Sequence, residues 1–126
     1  MKHLTLFESF DSDAYREVDL ETWNRFGKIS RFGDSKIDRI EKLIHTKGYG
    51  HMYITDKIGT IGASKEIIHF VKRDNKLFTR IIIISLEDEW FKVRIETTRK
   101  TQVTYDKQYY ICDQFDGLIK FIEEVL

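Results

Sequence analysis

Two runs dominate the pattern of apolar and polar positions. Leu77 to Ser85 contains four consecutive isoleucines, Ile81 to Ile84, and Trp90 to Glu96 alternates Phe91, Val93 and Ile95 with polar groups. β-Branched and aromatic runs joined by a short acidic segment predict a β-hairpin. With the turn centred on Glu87 and Asp88, Ser85 faces Trp90. Period-two alternation then puts Ile82, Ile84, Phe91, Val93 and Ile95 on a core face, with Thr79, Ile81, Ile83, Trp90, Lys92, Arg94 and Glu96 opposite. A turn one residue longer reverses that parity. Because both faces carry apolar groups, the hairpin is expected to be central and covered on each side.

The rest of the chain supplies the cover. Met1 to Asp13 reads as a loosely held arm, and Tyr15 to Val18 as a short strand. Asp19 is placed to cap a helix through Leu20, Trp23 and Phe26 that ends near Gly27. Ser35 to Asp38 has the form of a capping box, with Asp in place of the usual Glu or Gln. It predicts a second helix with Ile37, Ile40, Leu43 and Ile44 on one stripe, closed by Lys47 and Gly48.

After Gly50 the period falls to two, predicting strands at His51 to Thr55, Ile58 to Ile61, Glu66 to Lys72, Thr101 to Tyr105 and Tyr109 to Cys112. Glu66 to Lys72 also fits a helix capped by Ser64, but its β-branched content and the Asp74-Asn75 turn favour a strand paired with Leu77 to Ser85. Asp113 then caps a helix from Gln114 to Val125 with Phe115, Leu118, Ile119, Ile122 and Val125 on one stripe. Gly117 costs that helix about 1 kcal/mol against alanine, which points to close packing. The fold class expected is α+β: one domain with N-terminal helices, a central, mainly antiparallel meander and a C-terminal helix packed on the sheet.

Composition narrows the activities. At 126 residues with 41% hydrophobic content, the chain is long enough for one core without staples. Lys plus Arg and Asp plus Glu are both 21, so net charge is zero, whereas gripping a phosphate backbone usually calls for a basic protein. The single cysteine, Cys112, allows no internal disulfide and reads as a small half-buried hydrophobe. No run is long enough to span a bilayer, and the apolar start is too interrupted for a signal peptide. A soluble, cytoplasmic protein is expected.

Catalytic chemistry is sparse. His45, His51 and Asp56, with His3 or His69, do not fall at a common metal spacing, so no metal and no cofactor is expected. Glu89 and Lys92 are three apart, on opposite strand faces, unlike the Glu-x-Lys of metal-dependent nucleases. Gly59 and Gly62 lack the remainder of a phosphate loop. No nucleophile has a base and an orienter that sequence places beside it, so no catalytic residue is assigned.

Three segments carry a resemblance: the Met-Lys start with Leu6-Phe7-Glu8-Ser9-Phe10, the Asp88-Glu89-Trp90-Phe91 joint, and Tyr109-Tyr110-Ile111-Cys112-Asp113-Gln114-Phe115-Asp116-Gly117-Leu118. Together they resemble small uncharacterised accessory proteins of large tailed bacteriophages, over about a third of the chain. The resemblance implies a phage-encoded protein in the host cytoplasm that binds and inhibits or redirects a host protein.

Surface groups are what remain. Trp90, Lys92 and Arg94 alternate on one strand face, with Arg80, Lys72, Arg73, Arg99 and Lys100 near strand ends. Tryptophan and arginine favour protein interfaces, while aromatic and basic groups on a sheet also suit single-stranded RNA. The bland alternative is that Trp90 packs beneath a helix and the charges form a solvated rim. The reading adopted is a non-enzymatic protein that binds a protein partner through Trp90, Lys92, Arg94 and Arg80. The alternative is an RNA- or DNA-binding module.

Overall fold

The computed structural model describes residues 14–55, 66–99 and 104–126. Within them the chain is α+β, with strands β1 (Tyr15–Val18), β2 (Gly50–Thr55), β3 (Ile67–Arg73), β4 (Leu77–Ser85), β5 (Trp90–Arg99) and β6 (Asp106–Asp113). The helices are α1 (Leu20–Arg25), α2 (Asp34–Thr46) and α3 (Gln114–Val125). The strands form one sheet in the order β1-β6-β5-β4-β3-β2, and each neighbouring pair is antiparallel. The isoleucine-rich hairpin is therefore central, as its two apolar faces require.

Its register corrects the expected parity. Ser85 pairs with Phe91 rather than Trp90, and Ile83 with Val93. The joint is one residue longer because Asp88 and Glu89 both adopt left-handed φ, 62° and 59°, while the Leu86 amide donates to the Trp90 carbonyl at 2.8 Å. Ile81, Ile83, Phe91, Val93 and Ile95 thus share the main core with Ile68, Phe70 and Cys112, beneath Ile37, Ile40 and Ile44 of α2 and Leu118, Phe121 and Ile122 of α3. Ile82 and Ile84 turn to the other face. There they form a smaller core with Trp23, Leu86 and Ile111.

Two caps differ from expectation. Helix α2 begins at Asp34 after Gly33, with no side-chain cap, so Ser35 lies inside the first turn instead of opening it. Asp113 precedes α3 but its carboxylate makes no capping bond. Its amide instead donates to the Ala14 carbonyl, and Gln114 turns through φ 64°. Asp19 does cap α1, accepting from the Thr22 amide at 2.7 Å, and this bond holds its carboxyl below the usual range.

Three expected features have different extents. β6 starts at Asp106, ahead of the predicted Tyr109, and Thr104 and Tyr105 lie outside any strand. Cys112 is fully buried, and burial pushes its thiol pKa up. The arm Met1 to Asp13, the Ile58 to Ile61 strand, Gly59, Gly62, Ser64 and the part of the predicted Thr101 to Tyr105 strand up to Val103 lie outside the described residues.

Candidate functional site

The face opposite α2 and α3 can be read as rows across the sheet, since cross-strand partners point the same way. Starting at the β4–β5 turn, one row contains Ile67, Ile84, Lys92 and Ile111. The next contains His69, Ile82, Arg94 and Tyr109, followed by Val71, Arg80, Glu96 and Lys107, then Arg73, Phe78 and Thr98. Helix α1 is short, so it covers one end of this face. No described helix covers the other end.

At the covered end, Trp23 is buried against Ile82, Ile84 and Ile111, and its indole stands 5.4 Å from the Tyr109 ring. The indole Nε1 donates to the Val93 carbonyl at 3.0 Å. Lys92 is only 7% exposed: its ammonium donates to the Trp23 carbonyl at 2.9 Å and lies 4.5 Å from the indole centroid. Burial lowers the Lys92 pKa from its ordinary 10.5. Trp90 is half-buried edge-on to Phe26, with centroids 4.9 Å apart. Trp90, Lys92 and Arg94 do share a face, but Lys92 fastens α1 and only Arg94 reaches the uncovered part.

There Arg94 meets Arg80 over one carboxylate. Glu96, 3% exposed, accepts from Arg80 Nε at 2.8 Å and from Arg80 Nη2. Arg94 Nε lies 2.9 Å from the other Glu96 oxygen, an ion contact whose direction is too poor for a hydrogen bond. The two side chains remain partly exposed, at 40% for Arg80 and 30% for Arg94, although Arg94 Nε itself is buried. His69 sits beside them, its pKa lowered first by burial and then by Arg80 and Arg94, against an opposing pull from Glu96. One buried anion thus holds two cations whose side chains are partly exposed.

Beyond this cluster the strand ends form a groove of about 370 Å³ lined by Arg73, Asp74, Leu77, Phe78, Thr98, Arg99 and Tyr105. Asp74 shapes its wall by accepting from the Lys76 and Leu77 amides. The Arg73 guanidinium lies 5.3 Å from the Phe78 ring centroid, and that of Arg80 lies 6.0 Å from Tyr105. Leu77 and Tyr105 are among the exposed large hydrophobics, at 36% and 41%.

Arg80, Arg94 and Glu96 all stand out in the sequence, but the expected register does not pair them. With the shorter turn, Arg80 would face Ile95 rather than Glu96. The signal for the groove was the Asp74-to-Leu77 turn followed by Phe78, legible as a hairpin end but not as a wall. Among the described residues, no three His, Cys, Asp or Glu side chains converge as a metal site. His45 is exposed on α2, away from His69 on the sheet. Comparison with family models, with curated proteins and with solved structures finds no match for this chain. No described helix is long and apolar enough to cross a membrane.

Proposed function

We propose that this chain is a non-enzymatic binding protein that engages a protein partner through the uncovered part of the sheet, with Arg80 and Arg94 as its anchors. The observation that carries this is the sharing of buried Glu96 by two arginines whose side chains are partly exposed. Guanidiniums stay protonated, so they suit recognition of carboxylates rather than proton transfer. Holding them on one carboxylate reduces the side-chain entropy lost on association. Trp90, expected from sequence as a central anchor, serves this reading from the far end by seating Phe26. The resemblance to phage accessory proteins supports a host protein as the partner, bound and inhibited or redirected in the host cytoplasm.

The basic and aromatic character of the same face supports a second reading, a nucleic-acid module. Salt separates the two. Captured partner should lose affinity on Arg94→Glu, with a modest salt dependence and no sensitivity to nuclease. A steep salt slope, flattened by the same substitution and abolished by nuclease, would move the reading to nucleic acid. A partner indifferent to Arg80→Glu and Arg94→Glu, in variants that remain folded, would remove this face from the account.

A further inference from the structure

We infer that the groove at the sheet end receives an apolar side chain flanked by carboxylates from an extended acidic segment of a protein. This rests on the protein-partner reading and adds the partner's chemistry to it.

Charge complementarity carries the choice of occupant. On a chain of zero net charge, Arg73, Arg80, Arg94 and Lys107 share the uncovered rows, and Glu96, the carboxylate among them, is buried and already shared. Asp74, the carboxylate in the groove lining, is turned to the backbone amides of its own loop. That lining includes apolar groups: Phe78 and Tyr105, and at the start of β4 the exposed Leu77, which pairs with Arg99 and alternates to the opposite face from Phe78. Apolar and cationic groups lining one groove fit a Leu, Met or aromatic side chain between Asp or Glu residues.

Single-stranded nucleic acid also carries negative charge, but it binds such surfaces by stacking bases on open ring faces. Here a guanidinium lies over each ring, Arg73 over Phe78 and Arg80 over Tyr105. Exposed Leu77 likewise offers a base nothing to stack on. Guanidiniums suit paired hydrogen bonds to carboxylates, the groups an acidic segment brings.

The test is selection of a displayed random-peptide library on the intact protein, followed by titration of the enriched peptides and of labelled oligouridine. Enriched peptides should carry one large apolar residue beside Asp or Glu. Arg73→Glu and Leu77→Glu should each weaken them about tenfold or more, as loss of an interface anchor does. Both side chains are exposed, and circular dichroism serves to check that each variant is folded. Absence of enrichment, enrichment without acidic residues, binding that survives both substitutions, or oligouridine binding tighter than the peptides would each overturn the inference. A cellular partner lost on Arg94→Glu but retained by Arg73→Glu and Leu77→Glu would overturn the groove while leaving the protein-partner reading in place.

Discussion

Lys92 and Trp23 fasten each other across the sheet surface: the ammonium donates to the Trp23 carbonyl and lies over the indole, while the indole donates to the carbonyl of Val93, next to Lys92. Helix α1 spans only Leu20–Arg25, too short to persist alone. Its place on the face therefore depends on this reciprocal contact and on the apolar cluster around it.

The contact predicts a pH dependence. The unfolded chain keeps a proton on Lys92 up to its ordinary 10.5, whereas burial makes the folded chain release it earlier. The unfolded state thus binds more protons between the lowered value and 10.5, and stability rises with pH through that interval. Relative to Lys92→Met, the wild type should gain stability as alkaline pH approaches the upper limit, measured by denaturant unfolding at a series of pH values. A difference independent of pH would mean that Lys92 is not desolvated.

Glu96→Gln should destabilise by about 1.5–3 kcal/mol, the range for hydrogen bonds to charged groups, because Arg80 and Arg94 lose their shared anion. Both arginine side chains are partly exposed and can turn to water, which keeps the cost below that of an enclosed ion pair. Chemical denaturation gives the value directly. An unchanged midpoint would show that the two cations do not need the carboxylate.

Gly117→Ala should destabilise, although alanine is the better helix former. A Cβ there would stand 2.5 Å from the Ala14 carbonyl oxygen and 3.0 Å from the Ala14 Cβ. Forcing α3 away from the start of β1 costs about 1–3 kcal/mol as overpacking, which exceeds the propensity gain. Thermal unfolding of the variant should show a lower midpoint, and a higher one would mean that the approach is easily relieved.

The two aspartates that precede helices should respond differently. Asp19→Ala removes a bond to the Thr22 amide and should loosen α1, read as faster exchange of the Thr22 and Trp23 amides. Asp113→Ala removes no capping bond and should shift stability by about 0.5 kcal/mol or less. A loss as large as that of a true cap would show that the Asp113 carboxylate bonds the helix in solution.

The same contrast shows what the sequence carried. Periodicity located β3, the central hairpin and α3, because burial of one face selects side chains every second or every third to fourth residue. The Asp19 cap was legible because its partner is three residues away. The hairpin parity was not, since it depends on Asp88 and Glu89 both taking left-handed φ, which their identities do not announce. That one residue moved Ile81 and Ile83 into the main core and gave Arg80 its partner, Glu96. The place of Trp23 was equally hidden, because its contacts at Lys92 and Val93 are long-range in sequence. Asp113 shows the converse error: a residue of the right type, before a real helix, whose backbone was diverted to Ala14.

The pairing of β1 with β6 also orders events as the chain is made. Tyr15 faces Cys112, so the first described strand leaves the ribosome long before its partner exists. Strands β3 to β6 join neighbours in sequence and can assemble in turn, at low loop-closure cost. β1 must wait for β6, and Trp23 for β5. Until β5 and β6 follow, Ile82 and Ile84 have no α1 fastened over them, and in that interval a nascent-chain chaperone would find their apolar surface.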